Sequence, residues 1–78
     1  MKYYLKEDYD IFETILAVED EVKHVKSIER PNLFMIYYDP DNEMDREVVR
    51  VNKTDRRVVF SATSTVLRNW FKDKVVTM

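Results

Sequence analysis

The loop Asp39-Pro40-Asp41-Asn42-Glu43-Met44-Asp45 places carboxylates at alternate positions, as a calcium loop does when it presents oxygen ligands. In an EF-hand register starting at Asp39, Met44 falls where the sharp turn requires glycine, and Arg50 falls where a bidentate glutamate belongs. A solvated acidic loop is the better reading, and no metal site is expected. His24 is the only histidine, and it lies between Lys23 and Lys26 with no acid or nucleophile spaced for a dyad or triad. Carboxylates close in sequence, such as Asp8 and Asp10, have no apolar surroundings in the sequence that would drive their pKa values apart. With no cysteine and no glycine, thiolate chemistry, zinc-thiolate sites and glycine-rich phosphate loops are excluded. The expectation is a chain that is not an enzyme, with no catalytic residues and no cofactor.

Two clusters remain that could bind rather than react. Tyr37 and Tyr38 run directly into the acids Asp39, Asp41, Glu43 and Asp45. Aromatic area beside steering charge is what a protein contact surface uses. The second cluster, residues 46–57, carries five bases against two acids; Arg50, Lys53, Arg56 and Arg57 would be its phosphate contacts. Its bases are not interleaved with aromatic residues that would stack on nucleobases, and the whole chain is acidic with a pI near 5.3. The sequence therefore favours a small non-enzymatic protein-interaction module, in the class that includes acidic inhibitors or regulators of larger partners, with nucleic-acid binding by the basic hairpin as the alternative.

Charge is unevenly distributed. Residues 1–45 carry twelve acids and five bases, whereas residues 46–78 carry eight bases and three acids, within a net charge of −2. The two halves are expected either to neutralise each other within the fold or to form a charged interaction face. The 78 residues, 45% hydrophobic and 36% charged, suit one small globular domain rather than a disordered chain. A domain of this size buries only about 60% of its unfolded surface, which makes an efficient core or a partner necessary. The longest uncharged stretch, Val58–Leu67, is too short and too polar to span a membrane, and the first residues turn acidic at Glu7 before any apolar signal segment. A cytoplasmic, membrane-free location is expected.

The elements that must position these residues follow from periodicity. Lys2–Lys6 reads as a short edge strand. Ile11, Ile15, Val18 and Val22 recur at helical spacing behind Asp10, whose partner Glu13 completes a capping-box pattern, so a helix is expected over residues 10–20. β-branched residues and a competing alternation of Phe12, Thr14, Leu16 and Val18 keep a strand open there. Val22–Glu29 could extend that helix, but Val25–Glu29 also reads as a strand before the Arg30-Pro31-Asn32 turn. Leu33–Tyr38 is apolar on both of its faces, which marks it as a central strand covered on both sides by a helix, a loop or a second subunit.

Glu47–Asn52 and Arg57–Ser61 read as a hairpin through Asn52-Lys53-Thr54-Asp55, in which Asn or Asp would take any left-handed position. Hydroxyl residues from Ser61 to Thr65 offer helix caps, and a helix is expected to Lys74 through Val66, Leu67, Trp70, Phe71 and Val75, with Trp70 buried on the sheet. The expected fold is α+β: a small antiparallel meander of three to five strands, a C-terminal helix packed on it and an N-terminal helix. The two-faced strand and the opposed charges of the halves also raise a homodimer.

Overall fold

The computed structural model describes residues 1–40, 47–61 and 65–78. The chain runs β1 (Tyr3–Leu5), α1 (Ile11–Glu21), β2 (Val25–Glu29), β3 (Leu33–Tyr38), β4 (Glu47–Asn52), β5 (Arg57–Phe60), α2 (Thr65–Phe71) and β6 (Val75–Thr77). The six strands form one antiparallel sheet in the order β2-β3-β4-β5-β1-β6. The α+β class, the meander β2 to β5 and both helices match the sequence reading, with one more strand than the upper end of its range.

Helix α1 starts where its chemistry predicts. The Asp10 carboxylate accepts from the Glu13 backbone N–H at 2.9 Å, and the Thr14 hydroxyl donates to the Asp10 carbonyl at 2.7 Å. The helix ends as Val22 leaves helical geometry while its N–H donates to the Val18 carbonyl at 3.0 Å. His24 then takes φ 68° to turn the chain into β2, and its carbonyl accepts from the Asp39 N–H. Across this turn the Glu19 carboxylate accepts from both the N–H and the hydroxyl of Ser27, each at 3.1 Å, tying α1 to β2.

One face of the sheet carries the core. Register pairs Phe34 with Val51, Ile36 with Val49, Val51 with Val58, Val58 with Tyr3 and Leu5 with Val75, and cross-strand partners share a face. On that face Ile11, Ile15 and Val18 of α1 and Leu67 and Phe71 of α2 join Phe34, Ile36, Val49, Val51, Val58 and Leu5 in one buried cluster. Both helices therefore cover the same side. The register shift between Ile36 and Tyr37 makes Val48 an extra residue in β4, so Val48 and Val49 are both buried although they are consecutive.

Four sequence expectations give way. β1 is interior, because the C-terminal residues form β6 and pair with it: Tyr3 opposes Thr77 and Leu5 opposes Val75. Helix α2 ends at Phe71 instead of Lys74, and Val66 is exposed. Trp70 lies at the margin of the core, half-buried, with its indole N–H donating to Glu21 Oε1 at 3.0 Å. β3 itself is central, as expected, flanked by β2 and β4, and both helices cover one of its faces. In the β4–β5 turn the left-handed residue is Arg56, at φ 66°, because the Asn52 carboxamide oxygen already accepts from the N–H groups of Thr54 and Asp55.

Candidate functional site

Strand alternation sorts the site residues between two faces, and the side opposite the helices is where several of them meet. Register sets Ile28 opposite Met35, Met35 opposite Arg50 and Arg50 opposite Val59. It sets Lys26 opposite Tyr37 at one end of that face, and Arg57 opposite Tyr4 opposite Val76 at the other. None of these residues is buried in the core, and Val59 and Val76 are 42% and 40% exposed although both are valines in paired strands. The face is thus a sheet surface of mixed character that neither helix covers, with Ile28, Met35, Val59 and Val76 lying among Lys26, Arg50 and Arg57 and two tyrosines at opposite corners.

Lys26, Arg50 and Arg57 are the cations of this face. The Asp55 carboxylate accepts from the Arg57 N–H at 3.0 Å, and Lys26 and Arg50 have interactions within the chain. Glu47 aligns with Tyr37 in register at its margin. Glu13, Glu19, Asp20 and Glu21 lie on α1, whereas Glu7 and Asp8 of the β1–α1 connection border the face at its Tyr4 and Val76 corner.

The four bases proposed from the sequence as phosphate contacts are divided. Arg50 and Arg57 lie on the uncovered face. Lys53 does not join them: its ammonium lies 2.5 Å from Glu29 and above the rings of Phe34 (4.8 Å) and Phe12 (5.7 Å). Arg56 is committed to the fold, since its guanidinium donates to the Lys6 carbonyl at 2.6 Å and to the Tyr9 carbonyl, clamping the loop that leads into α1.

The proposed protein-contact cluster is divided too. Tyr37 lies on the uncovered face, while Tyr38, opposite Val25, packs against the core. Asp39 is half-buried with its N–H bound to the His24 carbonyl, and Asp41, Glu43 and Asp45 lie outside the described residues. Sequence reasoning missed Tyr4, Lys26 and Met35. The alternation of Lys26 with Ile28 and of Met35 with Tyr37 held a signal, but Tyr4 joins them only through the long-range pairing of β1 with β5.

A hollow of about 470 Å³ adjoins the Tyr4 and Val76 corner of this face, where Lys6, Glu7, Asp8, Asp55 and Arg56 meet, with bases and acids mixed. No serine, threonine or histidine is among its lining residues, and Arg56 there already serves the loop carbonyls. His24 is exposed at the entry to β2. No group of three or more His, Cys, Asp or Glu side chains among the described residues is arranged to hold a metal ion, and no helix among them is long and apolar enough to cross a membrane. Compared with known proteins, the chain matches no family model, no curated protein and no solved structure.

Proposed function

We propose that this chain is a small non-enzymatic interaction module that binds an anionic macromolecular partner on the uncovered face of its sheet. One observation carries the reading: a six-stranded sheet with both helices on one side leaves an opposite face whose described charged side chains, Lys26, Arg50 and Arg57, are all cationic, set among Ile28, Met35, Val59 and Val76. Antiparallel sheets tolerate one solvated face, but such a face is ordinarily polar, so the apolar residues among these cations stand out. Apolar area between like charges supplies burial on binding, and the charges steer a partner of opposite sign. A flat face without an enclosed reactive group supports binding rather than turnover.

A protein partner of basic character has an observation of its own. On α1, Phe12 and Leu16 are 54% and 66% exposed one helical turn apart, beside Glu13 and Asp20. This keeps the acidic, protein-binding reading of the sequence but moves it from the 39–45 loop to a helix. A homodimer joining the cationic sheet face of one copy to this acidic stripe of another would be a third use of the same chemistry.

Affinity capture from a lysate of the expressing cells, with and without nuclease, separates these readings. Met35→Asp and Arg50→Glu should abolish recovery of the partner, and Leu16→Lys should leave it unchanged. Recovery lost only with Leu16→Lys would move the site to α1, and recovery unaffected by either set would remove the interaction face altogether.

A further inference from the structure

We infer that two copies of this chain join edge to edge through β6, across a two-fold axis that passes beside Val76, into one antiparallel sheet with six strands from each copy. The joint uses the edge of the sheet, so it goes beyond the reading of the uncovered face and is tested independently of it. The two outer strands are finished differently. In β2, the His24 carbonyl and the Arg30 N–H bond to Asp39 and Leu33, which turns the backbone groups of Val25, Ser27 and Glu29 outward. The Glu19 carboxylate takes the outward Ser27 N–H at 3.1 Å, and Lys26 and Glu29 put charge in the strand. Covering and charging an edge in this way keeps a further strand from adding to it.

β6 has neither device. Lys2 and Met78 exchange both backbone bonds, and the Lys6 N–H donates to the Lys74 carbonyl at 2.9 Å. Alternate residues of β6 therefore face β1, and the backbone groups of Val75 and Thr77 turn outward. Among the described residues no strand lies on that side. Val75, Val76 and Thr77 are all β-branched and uncharged. Lys74, placed to guard this edge, is drawn back over α2, its ammonium donating to the Trp70 carbonyl at 3.0 Å and lying 3.9 Å above the indole. The three-residue length of β6 limits the strength of a joint without closing the edge.

A second copy is the occupant because β6 complements itself. In antiparallel register about Val76, Val75 of one copy opposes Thr77 of the other, and each such pair exchanges N–H to C=O bonds in both directions. The two-fold repeats the pair, so every outward N–H and C=O of these residues is satisfied in both copies. Val76 meets its counterpart at the close, non-hydrogen-bonded position, where its 40% exposure gives way to apolar contact. Alternate side chains have room on both sides of the edge: the hollow of about 470 Å³ bordered by Val76 and Met78 on one, and a hollow of about 250 Å³ bordered by Val75 and Thr77 on the other. Glu7 and Asp8 follow Lys6 at the Lys74 end of β6, and the antiparallel two-fold sends the acids of the two copies to opposite ends of the joint. A foreign strand would gain the backbone bonds alone, whereas a second copy also brings the matching valine and is present at the protein's own concentration.

So short a joint makes a weak interface, with a dissociation constant on the order of 10⁻⁴ M. Sedimentation equilibrium of the full chain, on both sides of that concentration, should show the mass rising from 9.5 kDa toward twice that value and no further. Over the same range the Val75 and Thr77 amides should exchange with solvent more slowly as concentration rises, a readout that needs no variant. Thr77→Pro removes an outward N–H and no bond to β1, and Val76→Lys sets like charges against each other at the axis; each should hold the mass at 9.5 kDa. Mixing Val76→Lys with Val76→Glu should restore association, because opposite charges then pair across the axis. Met35→Asp, on the uncovered face, should leave association unchanged.

A mass of 9.5 kDa at every concentration overturns the inference. So does association that survives both Thr77→Pro and Val76→Lys, that is lost with Met35→Asp instead, that grows past the dimer, or that the mixed pair fails to restore. The capture experiment above is separate: its failure removes the reading of the face and leaves the β6 joint standing.

Discussion

At the scale of single residues, the bases of one short hairpin serve unrelated purposes. Arg56 acts on the fold: its guanidinium clamps the carbonyls of Lys6 and Tyr9, its own N–H donates to the Asn52 carbonyl at 3.0 Å, and its carbonyl accepts from Leu5 at 2.9 Å. Arg56→Ala leaves loop carbonyls unpaired and keeps a side chain at φ 66°, so it should cost about 1–3 kcal/mol. Arg56→Gly removes the same clamp but relaxes the left-handed backbone, and urea denaturation should find it more stable than Arg56→Ala by about 1 kcal/mol. Equal midpoints for the two would show that the backbone at this turn carries no strain.

Asp73 shows the other kind of residue-scale effect. Its carboxyl is held below the ordinary range chiefly by the hydrogen bond from Lys74 Nζ at 3.2 Å, which, helped by that ammonium's charge, outweighs an opposing desolvation. A carboxyl with a depressed folded pKa contributes stability above its unfolded pKa and loses it as pH falls through the folded value. Because Asp73 is fully exposed, solvent screening keeps that contribution small. An NMR titration should place the Asp73 midpoint below that of a peptide aspartate, and Lys74→Gln should return it to the ordinary range.

At the scale of elements, the last third of the chain is the informative part. The spacing of Leu67, Trp70 and Phe71 marks a helix, yet only Leu67 and Phe71 are fully buried. Trp70 sits edge-on to Phe71 at 4.8 Å between centroids, with the Lys74 ammonium 3.9 Å above its ring. Phe71 also meets Phe60, and Phe60 meets Tyr3, so a line of edge-to-face rings joins α2 to β5 and β1. Phe71→Ala should therefore cost about 3–5 kcal/mol, and Trp70→Ala clearly less, since the indole keeps one edge in water. A tryptophan variant at least as destabilised as the phenylalanine variant would place the centre of the α2 interface at Trp70. The helix stops at Phe71 because Val75–Thr77 have a stronger use: hydrogen bonds to β1, with the Lys74 N–H closing the turn on the Phe71 carbonyl at 2.8 Å.

For the molecule as a whole, the sheet is long and its ends are unequal. β4 pairs along most of its length with both β3 and β5 and contributes Val48, Val49 and Val51 to the core, whereas β6 has three residues and one partner. Hydrogen exchange should be slowest in β3, β4 and β5 and fastest among the strands in β6; equal protection in β6 would mean that the sheet opens as one unit. The same architecture explains what was legible in advance. Helix α1 and strands β2 to β5 could be read in order, because capping, composition and turn chemistry act within a few residues: Asp10 bonds Glu13, Asn52 bonds Thr54, and Leu33–Tyr38 is one short apolar, aromatic-rich run. The exclusion of thiol and glycine-loop chemistry was equally local, being a matter of which atoms the chain possesses. Only the tertiary structure decided that β1 lies between β5 and β6, that both helices cover one side, and that Tyr4 and Tyr37 share the opposite side with Arg50 and Arg57. Each of those facts depends on pairing residues dozens of positions apart. Three-residue strands such as β1 and β6 are too short to carry a period of their own, so their place is set by the edge that accepts them.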